Sequence, residues 1–280
     1  MTPRVWVYAR VYVHDRPEML DWLVIAALPR IRERLGGARW FYLRYFDETG
    51  THLRVRFEVP AAEADIARNM LADELTVPYA RLDREGFGGF GWFLPLVHPP
   101  RMPGRVQTDV VMDTYVPEHG TYGDAEMTVA EDLFHRSSEL ATAELQDRRV
   151  AGAAYAKSAA LGYMEAVRET FAPHANEEAF WTDYREFWLG PNVAGAEKWR
   201  TLFVRQAERA LAAGSIAPAP SPRVDAWRGA LRDAAARYGG RARALAVRPF
   251  IHLTNNRLGI TYLEESYLAQ LLLSARAVAS

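Results

Sequence analysis

Two arginines at alternate positions, Arg54 and Arg56, lie in the segment HLRVRFEV at residues 52–59. Successive strand residues point to opposite faces. Leu53, Val55, Phe57 and Val59 therefore make one apolar face, and His52, Arg54, Arg56 and Glu58 make the other. The strand rise separates the two arginine positions by about 7 Å. That spacing suits a row of carboxylates or a peptide backbone better than one small anion. The same pattern also describes a solvated sheet face laced with cross-strand ion pairs, and the segment alone leaves both readings open. Arg44, on the preceding strand of the same hairpin, adds a further cation to the group.

Three other clusters carry groups able to move protons or hold charge. TYVPEHGTYG at 114–123 offers Glu118 and Tyr122 where a strand breaks toward a helix. AEDLFHRSS at 130–138 offers Glu131, His135, Arg136, Ser137 and Ser138. IHLTNNRLG at 251–259 places His252 on a helical face with Arg248, Asn255 and Asn256, next to Arg257. Taken alone, His252 reads as a core histidine bonded to a neighbour. Glu131 and His135 have the spacing of half a metal site, but no second pair follows and no metal is expected. Ser137-Ser138 lacks the glycines and the strand–turn–helix setting of a nucleophile elbow. Gly86 to Gly91 lacks the lysine of a phosphate loop. The sequence has no cysteine, which excludes disulfides, thiolate metal sites and a cysteine nucleophile. No motif asks for a cofactor.

Composition bounds the class. With 49% hydrophobic and 25% charged residues the chain can bury a sizeable core, and a net charge of -1 gives no broad nucleic-acid footprint. No apolar run reaches the length of a membrane span. The first residues, MTPRVWVYARVYV, predict a strand rather than a secretory segment, so a cytoplasmic protein is expected.

The elements that must position these residues follow from periodicity. Val5 to Val13 is a strand; Asp15, with Pro17 in the first turn, opens a helix that runs to Leu35 and stops at Gly36-Gly37. The hairpin at 40–59 turns at Glu48-Thr49-Gly50. Ala61 to Leu75 is a helix with Ile66, Met70 and Leu71 at helical spacing. Tyr79 to Arg84 and a glycine-, proline- and aromatic-rich stretch, in which Phe90, Trp92 and Phe93 read as a buried plug, lead to a strand at Val106 to Val116. This is a β-α-β-β-α-β arrangement. Helices are expected at Asp124 to Arg148, Val150 to Phe171, Asn176 to Trp188, Ala194 to Ala213, Pro222 to Tyr238, Arg248 to Leu258 and Tyr262 to Ala277. The fold class is α+β. The chain is expected to be one domain over 1–280, sheet-rich over 1–116 and helical over 117–280, because the chemistry below draws on both parts.

The order of the clusters, WFYLRYFDETGTHLRVRF, TYVPEHGTYG, AEDLFHRSSE and HLTNNRLG, resembles the C-terminal domain of lantibiotic dehydratases, which also occurs as stand-alone thiopeptide-type bacteriocin biosynthesis proteins. The resemblance covers essentially the whole chain. It implies an enzyme acting on a ribosomally made precursor peptide: a lyase that removes glutamate from glutamylated Ser or Thr to leave dehydroalanine or dehydrobutyrine. The related pyridine synthases instead join two dehydroalanines in a formal [4+2] cyclisation and expel water and the leader peptide. A third alternative is a non-catalytic subunit that presents the peptide, by strand addition, to a dehydratase partner. A separate tRNA-dependent glutamylating protein would supply the substrate.

Residue by residue, the resemblance implies Arg54, Arg56, Glu118 and His252 as catalytic, with Arg54 and Arg56 suited to carboxylates and His252 to a proton donor or relay. Arg44, His52, Tyr122, Glu131, Ser137, Ser138, Asn256 and Arg257 are implied as substrate-binding. Thr121 departs from the pattern, since elimination domains commonly carry an arginine directly before Tyr-Gly; Arg136 and Arg101 are candidate substitutes. Ser137 stands where Asp is frequent. These departures keep cyclisation open, with Tyr122, Ser137 and Ser138 then positioning an amide that must tautomerise.

Overall fold

Alternation in the N-terminal segments builds one four-stranded sheet. In the computed structural model, which describes residues 2–14, 16–85, 104–151, 153–190, 195–214 and 221–279, strands β1 (Arg4–His14), β2 (Arg39–Asp47), β3 (Gly50–Pro60) and β4 (Asp109–Asp113) take the order β2-β3-β1-β4. Every neighbouring pair is antiparallel. The chain divides into two compact units, Met1–Pro117 and Glu118–Ser280.

In the first unit the face of Val7, Ala9 and Val11 from β1, Trp40 and Tyr42 from β2, and Leu53, Val55, Phe57 and Val59 from β3 is buried, as the apolar alternation requires. Helices α1 (Met19–Trp22), α2 (Leu28–Arg34), α3 (Ala64–Leu75) and α4 (Tyr79–Arg84) complete this unit. The first helix begins at Met19, later than expected, and is interrupted by a π segment at Leu23–Ala27. Pro29 explains the interruption: it has no N–H for the carbonyl of Ile25, and the wider turn absorbs the misfit. Gly36 and Gly37, both at positive φ, end α2 where the sequence places the stop.

Three expectations for this unit need correction. Helix α3 buries Ala64, Ala67, Leu71 and Leu75, whereas Ile66 is 64% exposed, so the inward stripe runs through two alanines and two leucines and leaves Ile66 to solvent. Strand β4 is short because β1 offers it only Tyr8 to Tyr12; Val106 and Val116 lie outside it and are exposed. The hairpin turns on Glu48 and Thr49 alone, with Asp47 paired to Gly50. Arg44 therefore opposes Leu53 and sits on the core face, where it forms a buried ion pair with Asp21 of α1 at 2.7 Å. It does not join Arg54 and Arg56.

The second unit is helical: a short α5 (His119–Tyr122), then α6 (Met127–Ala151), α7 (Ala153–Phe171), α8 (Glu177–Trp188), α9 (Ala196–Ala212), α10 (Pro222–Ala235), α11 (Gly240–Arg257) and α12 (Tyr262–Ala279). α7 packs against α6, α10 and α11, and α12 packs against α8 and α9. Asn176 and Ser221 cap α8 and α10 through their side chains, as their residue types predict. α11 begins eight residues before the expected Arg248, because the alanine- and arginine-rich run from Gly240 is a good helix former and Pro249 is tolerated inside it. Among the described residues no helix is long and apolar enough to cross a membrane.

Candidate active site

The turn between α11 and α12 determines the geometry around His252. Gly259, at φ 75°, lets the chain reverse after α11. Thr261 then caps α12 reciprocally: its backbone N–H donates to the Glu264 carboxylate at 3.0 Å, and the Glu264 N–H donates to its hydroxyl at 3.3 Å. Glu265, the next residue, is thereby held in the first turn of α12 and turned back toward α11, where the helix dipole favours its charge.

Glu265 is completely buried and accepts two hydrogen bonds. One comes from the ring of His252, with Nδ1 2.7 Å from Oε1; the other comes from the hydroxyl of Tyr184 on α8. The Trp188 ring lies against the imidazole, centroids 4.5 Å apart. Burial works against protonation of His252, but the Glu265 charge and hydrogen bond outweigh it and raise the pKa above the usual histidine value. Burial, joined by the Glu265 charge, drives the Tyr184 hydroxyl well above its usual pKa and keeps it a donor. Nδ1 is committed to Glu265, and 33% of the His252 side chain is exposed, leaving Nε2 as the ring nitrogen available to a substrate. A histidine so held can give up or take a proton at a defined atom.

The second unit collects four other implied residues into a closed cluster. Arg257 Nε donates to the Ser138 hydroxyl at 3.0 Å, and Ser137 and Ser138 donate to the Phe134 carbonyl. The Arg257 guanidinium lies over the Phe134 ring, on which Tyr122 also packs. Tyr122, Ser137, Ser138 and Arg257 are all at most 2% exposed, so in this conformation they brace α6 against α11. Glu131 is also buried, Asn256 is half-buried, and Glu118 is exposed just before α5. Thr121 sits on α5, and exposed Arg136 lies 4.0 Å from Glu139. Arg101, Phe90, Trp92 and Phe93 lie outside the described residues.

In the first unit Arg54 and Arg56 occupy the sheet face opposite the core, with unequal surroundings. Arg56 is buried among the rings of Tyr8, Phe41 and Tyr115, at 4.4, 5.0 and 5.1 Å. Arg54 is half-buried, its guanidinium 3.4 Å from the centre of the Tyr45 ring, and its Nε donates to His52 Nε2 at 3.4 Å. His52 donates from Nδ1 to the Gly50 carbonyl. Its pKa is lowered by burial first and by the Arg54 and Arg10 charges, against the pull of Asp47, which fits a neutral ring accepting at Nε2. Elsewhere the face is ion-paired: Glu58 serves Arg4 and Arg39, and Arg10 meets Asp113. Among the described residues no carboxylate lies within ion-pair distance of Arg54.

Sequence reasoning missed Glu265, Tyr184 and Trp188. The available signal was local and partial: a glycine, then Thr-x-x-Glu-Glu, puts an acidic first turn directly after the helix that carries His252.

The sequence profile described as the lantibiotic biosynthesis dehydratase C-terminal family matches residues 6–278. No curated protein matches the chain. Among solved structures it is similar to the tRNA-dependent lantibiotic dehydratase MibB from Microbispora sp. 107891, with 22% identity and a TM-score of 0.60, over 98% of this chain but only 28% of that one. It is similar to the pyridine synthase TbtD from thiomuracin biosynthesis at 19% identity and a TM-score of 0.64, over 98% of each chain. TsrL matches at 17% identity and a TM-score of 0.66, over 99% of this chain and 95% of that one. At these identities the likeness is one of fold.

Proposed function

This chain belongs to the lantibiotic biosynthesis dehydratase C-terminal family, and we propose that it is a lyase that eliminates glutamate from glutamylated Ser or Thr of a precursor peptide. The observation that carries this reading is the His252–Glu265 pair, a proton-transfer group oriented by a buried carboxylate. In the reaction the Cα–H bond breaks to a base, the Cβ–O bond breaks, the Cα=Cβ bond forms, and glutamate leaves through the α-carboxylate that esterified the hydroxyl. His252, whose protonated form Glu265 favours, donates a proton or hydrogen bond from Nε2 to that departing group. Arg54, without a carboxylate partner among the described residues, is assigned to the carboxylates of the glutamyl group, and Arg56 to holding that strand face. Glu118, exposed ahead of α5, is assigned as the base. The reading calls for a partner that supplies the glutamylated peptide.

Formal [4+2] cyclisation of two dehydroalanines is the second reading. Thr121 favours it, standing where elimination domains carry arginine, and so does the match to the pyridine synthase TbtD over 98% of both chains. Mass spectrometry of a glutamylated precursor peptide incubated with the purified protein separates the two. Release of glutamate with formation of dehydroamino acids, abolished by His252→Ala, supports the lyase. An intact glutamylated peptide, together with leader loss from a peptide bearing two dehydroalanines, overturns it in favour of cyclisation. If neither peptide changes, the remaining reading is a non-catalytic presenting subunit.

A further inference from the structure

Beside the dyad the second unit carries an apolar groove of about 720 Å³ between the α7–α8 connection, α8 and α11. Phe187 and Leu245, two of its lining residues, are 56% and 55% exposed, a large apolar area to leave to water. The charges around it have one sign. Arg243, Arg248 and His174 line the groove and no lining residue is acidic. Among the described residues neither Arg243 nor Arg248 has a carboxylate at ion-pair distance. Arg243 donates to the Thr170 carbonyl, and Arg248 lies 5.3 Å from the Phe187 ring centre. An adjoining hollow shares Pro173 and Arg243 and adds Arg232; the one acid there, Glu169, faces Arg228 at 3.5 Å.

The backbone adds a hydrogen-bond acceptor. Pro249 lies inside α11 and has no N–H, so the carbonyl of Leu245, on the groove, lacks its helical donor. The groove is also continuous with the dyad. Arg248 precedes His252 by one helical turn on the same face, and Phe187 packs on Trp188, which in turn lies against the His252 ring.

We propose that this groove docks an acidic, amphipathic peptide segment, the part of the substrate chain that leads to the residue presented to His252. Apolar side chains of the segment fill the floor between Phe187 and Leu245, and its carboxylates meet Arg243 and Arg248. The one-signed rim argues against a second copy of this chain as occupant. No α11 or α8 lining residue offers the carboxylate that a self-complementary contact would need. The proposal rests on the reading of His252 as the reacting group, but its test does not.

The test uses two fluorescein-labelled synthetic peptides with the same Leu and Phe positions, one carrying Glu and the other Lys on its polar face, titrated with the full chain and followed by fluorescence anisotropy. The Glu peptide should bind at least about tenfold more tightly than the Lys peptide, and more weakly as salt rises. Arg248→Glu and Leu245→Asp, both at exposed positions, should each weaken binding roughly tenfold while thermal unfolding stays unchanged. Equal binding of both peptides, no saturable binding, or binding untouched by both variants overturns the proposal. Glutamate release is measured in parallel. Release without peptide binding removes the groove and keeps the lyase; binding without release does the reverse.

Discussion

Glu265→Gln removes one charge and almost no volume, and so isolates what the carboxylate does for His252. With charge centres about 4 Å apart, a carboxylate and an imidazolium attract by about 4 kcal/mol at an effective dielectric of 20. Because 33% of the His252 side chain meets water, solvent screens part of this. Halving it leaves about 2 kcal/mol, or about 30-fold in a rate constant that depends on the protonated ring. The amide can still accept from one neighbour and donate to the other, and the Tyr184 hydroxyl can turn from donor to acceptor, so the local packing survives. Single-turnover glutamate release followed by mass spectrometry should therefore slow about 30-fold. The NMR titration of the His252 ring should move to lower pH. A variant that releases glutamate at the native rate and leaves that titration in place would refute the assignment of Glu265 as the group that keeps His252 protonated.

The same pair should leave a signature in stability against pH. Burial opposes charging of His252, the Glu265 carboxylate outweighs it, and the native pKa is raised. The pair's contribution is therefore complete below the unfolded histidine value of about 6.5 and is lost as pH rises through the native value; urea midpoints measured across that window should fall in the native chain and stay flatter in Glu265→Gln. Asp21→Ala breaks the buried Asp21–Arg44 ion pair and should cost about 3–5 kcal/mol in urea unfolding, most of it recovered by Asp21→Leu with Arg44→Met. Arg56→Ala, which empties a space among three rings, should lower the unfolding midpoint by the equivalent of about 2 kcal/mol. Arg54→Ala should change stability by less than about 1 kcal/mol yet raise KM for a glutamylated peptide, a contrast read by pairing denaturation with steady-state kinetics.

What was legible in the sequence is what is local. The alternation of β1 and β3 and the helical stripes of α6 to α12 survive because period and burial are set by neighbouring residues. Register is less secure. A three-residue turn at Glu48-Thr49-Gly50 would set Arg44 opposite Arg54, whereas the two-residue turn found here sets it opposite Leu53. One residue of slip moves an arginine from a candidate anion site into an ion pair in the core. The dyad lies further from sequence reasoning still. Glu265 reaches His252 only because Gly259 reverses the chain, Thr261 and Glu264 fix the start of α12, and α8 brings Tyr184 to the other carboxylate oxygen. Each of these is a readable local device, but their convergence is a property of three packed helices. A histidine alone at position 252 reads as core. The buried carboxylate behind it turns one ring nitrogen into a fixed donor and leaves the other for chemistry, and that is the ground for giving His252 a catalytic rather than a structural role.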